Sequence, residues 1–110
     1  MSDLTVANTI LHQLGGRRFI AMTGARALVG GAHDLTFRLP QRFAAKGIVL
    51  VRIALTPRDT YTVAFFSRSG RVISEHEDVY CDALVELFER ETGLATRLPK
   101  VSFGRSPFGA

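Results

Sequence analysis

Four arginines stand among five glycines between Leu14 and Pro40, in the run LGGRRFIAMTGARALVGGAHDLTFRLP. A guanidinium offers a planar fork of donors that matches phosphate or carboxylate. Glycine lets the backbone turn sharply and lets another surface come close. The chemistry open to these residue types is anion binding. Arg17, Arg18, Arg26 and Arg38 are candidate contacts here, with Arg58 further along the chain and Arg52 between. Phe19, Phe37, Tyr61 and Phe66 are interleaved with them. Arginine beside aromatic rings on a sheet holds single-stranded nucleic acid by backbone charge and base stacking. No ribonucleoprotein, KH or helix-turn-helix signature accompanies the pattern.

Other chemistries find little to work with. The chain has no GxxxxGK[ST] loop and no GxGxxG between a strand and a helix. Gly15-Gly16 reads as the end of a helix, where the dipole does not favour phosphate. His12, His33 and His76 are far apart, and His76-Glu77-Asp78 with Cys81 lacks the paired spacing of a zinc site. Cys81 lies among carboxylates that disfavour its thiolate, and it reads as a small, half-buried apolar residue. No serine or threonine has a histidine close by in sequence. The expectation is a non-enzymatic binding protein with no catalytic residue, no metal and no cofactor.

Charge is unevenly placed along the 110 residues, whose net is +4 with a pI near 10.0. Residues 1–74 hold ten basic and three acidic side chains, a net +7. Residues 75–91 hold seven acids against Arg90, a net −6, and the remainder adds +3. An acidic element on a basic body follows, and a basic body attracts polyanions at long range. One domain is expected from a chain of this length with 46% apolar residues. Its single cysteine forms no internal disulfide. No apolar run approaches the ~20 residues of a membrane span, and the N-terminus lacks a signal-peptide pattern. A cytoplasmic protein without membrane contact is the expectation.

The elements that must position these side chains form an α+β pattern. Asp3 caps a helix from Leu4, with Ala7, Ile10, Leu11 and Leu14 on one stripe and Gly15 at its end. Phe19–Thr23 reads as a short strand closed by Gly24. Leu35, Phe37 and Leu39 alternate with polar residues up to Pro40, the period of a strand with one wet face. Ile48–Leu55 reads as a central strand buried on both faces. Thr56-Pro57-Arg58-Asp59 turns it into the strand of Tyr61, Val63 and Phe65, and Ser69-Gly70 turns that into Val72-Ile73. Asp78–Glu91 reads as a second helix, capped by Asp78, with Tyr80, Leu84, Leu87 and Phe88 on its apolar face and Thr92-Gly93-Leu94 as its stop.

The sequence therefore predicts an N-terminal helix, an antiparallel multi-stranded sheet and an acidic C-terminal helix packed on it. The expected core is Ile10, Leu14, Phe37, Val49, Val51, Ile53, Val63, Phe65, Leu84, Leu87 and Phe88. The domain spans residues 1–97, and 98–110 is a flexible basic tail, since termini stay loose unless something docks them.

Longer stretches carry a resemblance. TILHQLGGRRFIAMTGA, LTFRLP, DTYTVAF and DVY…LVELFERETGLATRL, covering residues 8–98, resemble a family of small tailed-phage and prophage proteins with no assigned activity. The resemblance implies a phage or prophage product acting inside a bacterial host cell. Three kinds of partner remain in view. The first is nucleic acid, through Arg17, Arg18, Arg26, Arg38 and Arg58. The second is a host nucleic-acid-handling or defence protein, inhibited in the manner of anti-CRISPR proteins by Asp82, Glu86 and Glu89 imitating phosphates. The third is another copy of this chain, joined through a sheet edge as a homo-oligomer.

Overall fold

The computed structural model describes residues 4–96, and at its centre five strands follow one another in chain order, each antiparallel to the next. They are β1 (Arg26–Gly30), β2 (Asp34–Arg38), β3 (Ile48–Leu55), β4 (Tyr61–Ser67) and β5 (Val72–Val79). Helices α1 (Thr5–Leu14) and α2 (Arg17–Thr23) precede the sheet, and α3 (Leu84–Thr92) follows it. The fold is α+β, with the helices on one sheet face; among the described residues no element packs on the other.

Alternation along the strands decides which face is covered. Phe37, Val51 and Phe65 stand opposite one another in register, and so do Leu35, Ile53 and Val63. These two rows meet Ile10 and Leu14 of α1, Phe19 of α2, and Leu84, Leu87 and Phe88 of α3 in one buried core. All eleven residues expected inside are buried. Each large apolar side chain so buried contributes about 1.5–3 kcal/mol. Phe19 meets both Phe37 and Phe88 edge-on at 5.2 Å. Gly30 sets the closeness of α1 to β1, because a Cβ there would lie 2.6 Å from the Ala7 Cβ. The Tyr61 hydroxyl donates to Gln13 Oε1 at 2.8 Å and ties α1 to β4.

Helices α2 and α3 stop by the same device. Phe19-x-x-x-Thr23-Gly24-Ala25 is repeated as Phe88-x-x-x-Thr92-Gly93-Leu94. In each, the threonine hydroxyl donates to the phenylalanine carbonyl one turn back, at 2.8 and 2.7 Å. It also accepts from the amide two residues on, at 3.2 Å in both. The intervening glycine is left-handed, at φ 75° and 73°, where a Cβ is disfavoured. The following Ala25 or Leu94 is buried.

Several local expectations need correction. Phe19–Thr23 is part of helix α2, not a strand; a five-residue apolar run fits either period, and Phe19 and Thr23 are buried four residues apart on one helical face. Gly15-Gly16 consequently ends α1 and also begins α2, with Gly16 at the N-cap. Asp78 is not a helix cap. β5 continues to Val79 because β4 supplies a partner along its length, and Asp78 sits at φ 56° where the ladder is irregular opposite Tyr61 and Val63. The helix starts only after a 3₁₀ turn, Cys81–Ala83, which leaves Tyr80 63% exposed and Cys81 exposed instead of half-buried. β3 is buried on one face alone, since Arg52 is exposed on the other. The two expected turns form: Asp59 N–H donates to the Thr56 carbonyl at 3.0 Å, and Gly70 N–H to that of Ser67 at 2.9 Å. The expected tail, from residue 98, lies outside the described residues.

Candidate nucleic-acid interface

A meander in chain order sends alternate connections to the same end of the sheet. β1, β3 and β5 begin at one end, where β2 and β4 finish. That end gathers Arg26 and Arg38 from strand termini, Arg42 and Lys46 from the β2–β3 connection, and Arg68 and Arg71 from the β4–β5 turn. These segments hold no acidic residue. All six cations are exposed. Among the described residues, the guanidiniums of Arg26, Arg38, Arg42, Arg68 and Arg71 enter no ion pair or side-chain hydrogen bond.

Register turns part of this set into a row. Arg26 pairs with Arg38, Arg38 with Leu50, Leu50 with Phe66 and Phe66 with Val72, across all five strands. At ~4.8 Å between strands, the row is about 19 Å wide. It lies on the uncovered face, because the next residue along each inner strand (Phe37, Val51, Phe65) points into the core. The row runs from two cations, Arg26 and Arg38, to an apolar step of Leu50, Phe66 and Val72. Val72 is 52% exposed, and so is Phe43, next to Arg42 in the β2–β3 connection. That connection holds Arg42 and Lys46 at φ 63° and 61°, left-handed values that non-glycine residues seldom adopt.

Of the residues picked out from sequence, Arg26 and Arg38 meet here and the others do not. Arg17 and Arg18 start α2 in the helical layer, where they line a cleft with Gln13, Val85 and Thr96. Arg58 belongs to the opposite end of the sheet, paired with Asp78 at 3.1 Å. Arg52 is on the open face, but Asp34 Oδ2 takes its Nε at 3.0 Å and its Nη2 at 2.7 Å. Phe19, Phe37 and Tyr61 are core residues, so Phe66 is the one of the four rings that reaches the open face. Sequence reasoning passed over Arg42, Phe43, Arg68 and Arg71. The signal that could have found them is topological: in an antiparallel meander the connections 39–47 and 68–71 must share an end.

Lys46 is withdrawn from the set by a buried acid. Glu91, 11% exposed in its side chain, takes Lys46 Nζ at 3.1 Å and the Ser74 hydroxyl at 2.9 Å on the same oxygen. His76 Nε2 lies 3.8 Å from that oxygen. Burial would raise the Glu91 pKa, but the hydrogen bonds from Lys46 and Ser74, with the charges of Lys46 and His76, outweigh it and hold the carboxyl below its ordinary value. Ser74, His76 and Glu91 thus meet without forming a nucleophilic relay. Such a relay needs serine bonded to histidine, whereas the Ser74 hydroxyl donates to the carboxylate. The arrangement clamps α3 to β5 and to the 3₁₀ turn Ala45–Gly47.

The acids expected to imitate phosphates also come together. Asp82, Glu86 and Glu89 line one cleft with Gln13, Cys81 and Val85. Glu89 is engaged there, since its Oε2 accepts from the amide and hydroxyl of Thr96 at 2.8 and 2.9 Å. Among the described residues no group of three or more His, Cys, Asp or Glu side chains could hold a metal ion, and no helix is long and apolar enough to cross a membrane. No family model, curated protein or solved structure matches the chain.

Proposed function

We propose that this chain is a non-enzymatic nucleic-acid-binding protein whose contact surface is the basic end of its sheet. The observation that carries the reading is the convergence of five unpaired guanidiniums, from four separate segments, on an end whose strand termini and connections hold no acid. Unpaired arginines at this density act together on a polyanion, where backbone charge dominates affinity. The resemblance to tailed-phage and prophage proteins supports a setting inside a bacterial cell, where nucleic acid is the abundant polyanion. The inhibitor reading has less support, because one of its three acids is committed to holding Thr96. Pairing through sheet edges is likewise disfavoured: β1 is short and irregular at Ala27, whose φ is 54°, and β5 bears exposed Glu75 and Glu77.

A salt titration of binding to labelled DNA tests this. The log–log slope should shrink by about 0.7–0.9 for each contacting guanidinium removed. Arg38→Ala, Arg42→Ala and Arg71→Ala should each do so, while Arg17→Ala, Arg18→Ala and Arg58→Ala leave the slope unchanged. Absence of binding to any nucleic acid at low salt, or dependence on Arg17 and Arg18 in place of the sheet end, would overturn the reading.

A further inference from the structure

We infer that the nucleic acid held at this end is single-stranded, with a base stacked on the ring of Phe43. The inference rests on the nucleic-acid reading above and goes to the class of ligand. Arginines alone would serve a duplex equally well, since phosphates position a protein without distinguishing one strand from two. The apolar side chains among them make the difference. Among the described residues the exposed large apolar side chains are Leu4, Val29, Phe43, Val72 and Tyr80. Phe43 and Val72 stand at the basic end, and Val29 lies on the uncovered face one register step from the Arg26–Arg38 pair. One exposed phenylalanine is ordinary. A phenylalanine with a free arginine beside it in sequence, in a connection at the same sheet end as Leu50, Phe66 and Val72, is a stacking platform with charge at its rim.

A duplex hides its base faces and offers such a ring nothing to cover. An unpaired strand exposes them, and every base presents a π-face. The row's width of about 19 Å matches roughly five nucleotides at the ~3.4 Å rise of a stacked strand. The two left-handed residues, Arg42 and Lys46, shape the connection that carries Phe43, and Glu91 fixes Lys46 from behind. Phe43 is thereby presented from an anchored segment.

The experiment compares full-length protein binding to a labelled twelve-nucleotide oligo-dT, a duplex of the same length and heparin, each across a range of salt. The expected result is tighter binding to the single strand than to the duplex. Phe43→Ala should weaken oligo-dT binding by about tenfold while leaving duplex and heparin binding within twofold. Phe43→Trp should retain the single-strand affinity. Thermal unfolding of each variant separates lost contact from lost fold. Equal affinity for single strand and duplex, with Phe43→Ala silent on both, would overturn this inference and leave nucleic-acid binding standing. No binding to either DNA would remove both together. Equal weakening of all three ligands by Phe43→Ala would assign the ring to loop structure and overturn the stacking role.

Discussion

Where β1, β3 and β5 begin, six cations gather and, among the described residues, only Lys46 has an acidic partner; where those strands finish, Asp34, Asp59, Asp78 and Asp82 accompany Arg58. At the acidic end the charges act on one another. Arg58 pairs with Asp78, Thr60 reaches the same carboxylate at 3.4 Å, and Asp34 draws Arg52 toward it from the middle of β3. These groups fasten the turns that carry them. At the basic end the arginines fasten nothing, and their mutual repulsion is a cost the fold tolerates. Side chains that stabilise no local structure, collected by topology from distant parts of the chain, are the basis of the contact surface proposed above. The net charge of +4 conceals this division.

Weakening the shared core while watching the basic end is the sharpest way to separate scaffold from surface. Leu84 is 1% exposed, where α3 starts near the acidic end. Leu84→Ala should lower unfolding free energy by about 2–5 kcal/mol in a denaturant titration. DNA affinity below the unfolding transition should be unchanged, because the arginines stand on strand ends and connections of a sheet that remains paired. A parallel loss of affinity in folded protein would mean that the basic end depends on α3.

Glu91→Gln moves a charge across the boundary between the two classes. Losing the Lys46 and Ser74 bonds to a carboxylate should cost about 1 kcal/mol, discounted because Lys46 is half exposed. The folded pKa of Glu91 is depressed, so its contribution is present above the unfolded value and is lost as pH falls through the folded one. The stability gap between wild type and variant should therefore be open at neutral pH and close on acidification below the ordinary carboxylate range. The variant also frees Lys46 as a sixth unpaired cation, so the salt dependence of DNA binding should steepen by about 0.7.

Arg58→Ala should do least. Its pair with Asp78 is exposed on both sides, and such pairs contribute about 0–1 kcal/mol. The melting temperature should barely move and DNA binding should stay as it was. A clear loss of binding would extend the contact surface to the acidic end and erase the contrast.

Much of the scaffold was legible from residue pattern. Leu35, Phe37 and Leu39, then Val63 and Phe65, alternate as one-sided strands do, and the turns carry Pro57 and Gly70 where those residues fit. Misreadings arose where two signals competed. Asp78 looks like the cap of a helix, yet with Glu75 and Glu77 it belongs to an edge strand, which benefits from charge. The apolar run at Phe19 was ambiguous by itself. Setting FIAMTGA beside FERETGL would have shown that both stretches end helices. The proposed contact surface was least legible, because Arg26, Arg38, Arg42, Arg68 and Arg71 come to one end of the sheet only through the order of strands.

Because Phe19 and Phe88 pack edge to face, and each sits one turn ahead of its own Thr-Gly stop, the two helix endings cannot drift independently. A smaller residue at one ring loosens the other ending far along the chain. Loss of either hydroxyl takes away the acceptor of a buried amide, that of Ala25 or Leu94, while the phenylalanine carbonyl keeps its helical bond. Surface positions, by contrast, are free to change over generations, the arginines included if the partner changes. The doubled Phe-x-x-x-Thr-Gly phrase, one copy before five strands and one after, is therefore the heirloom that distant kin of this chain should still carry once the rest of their sequence has diverged.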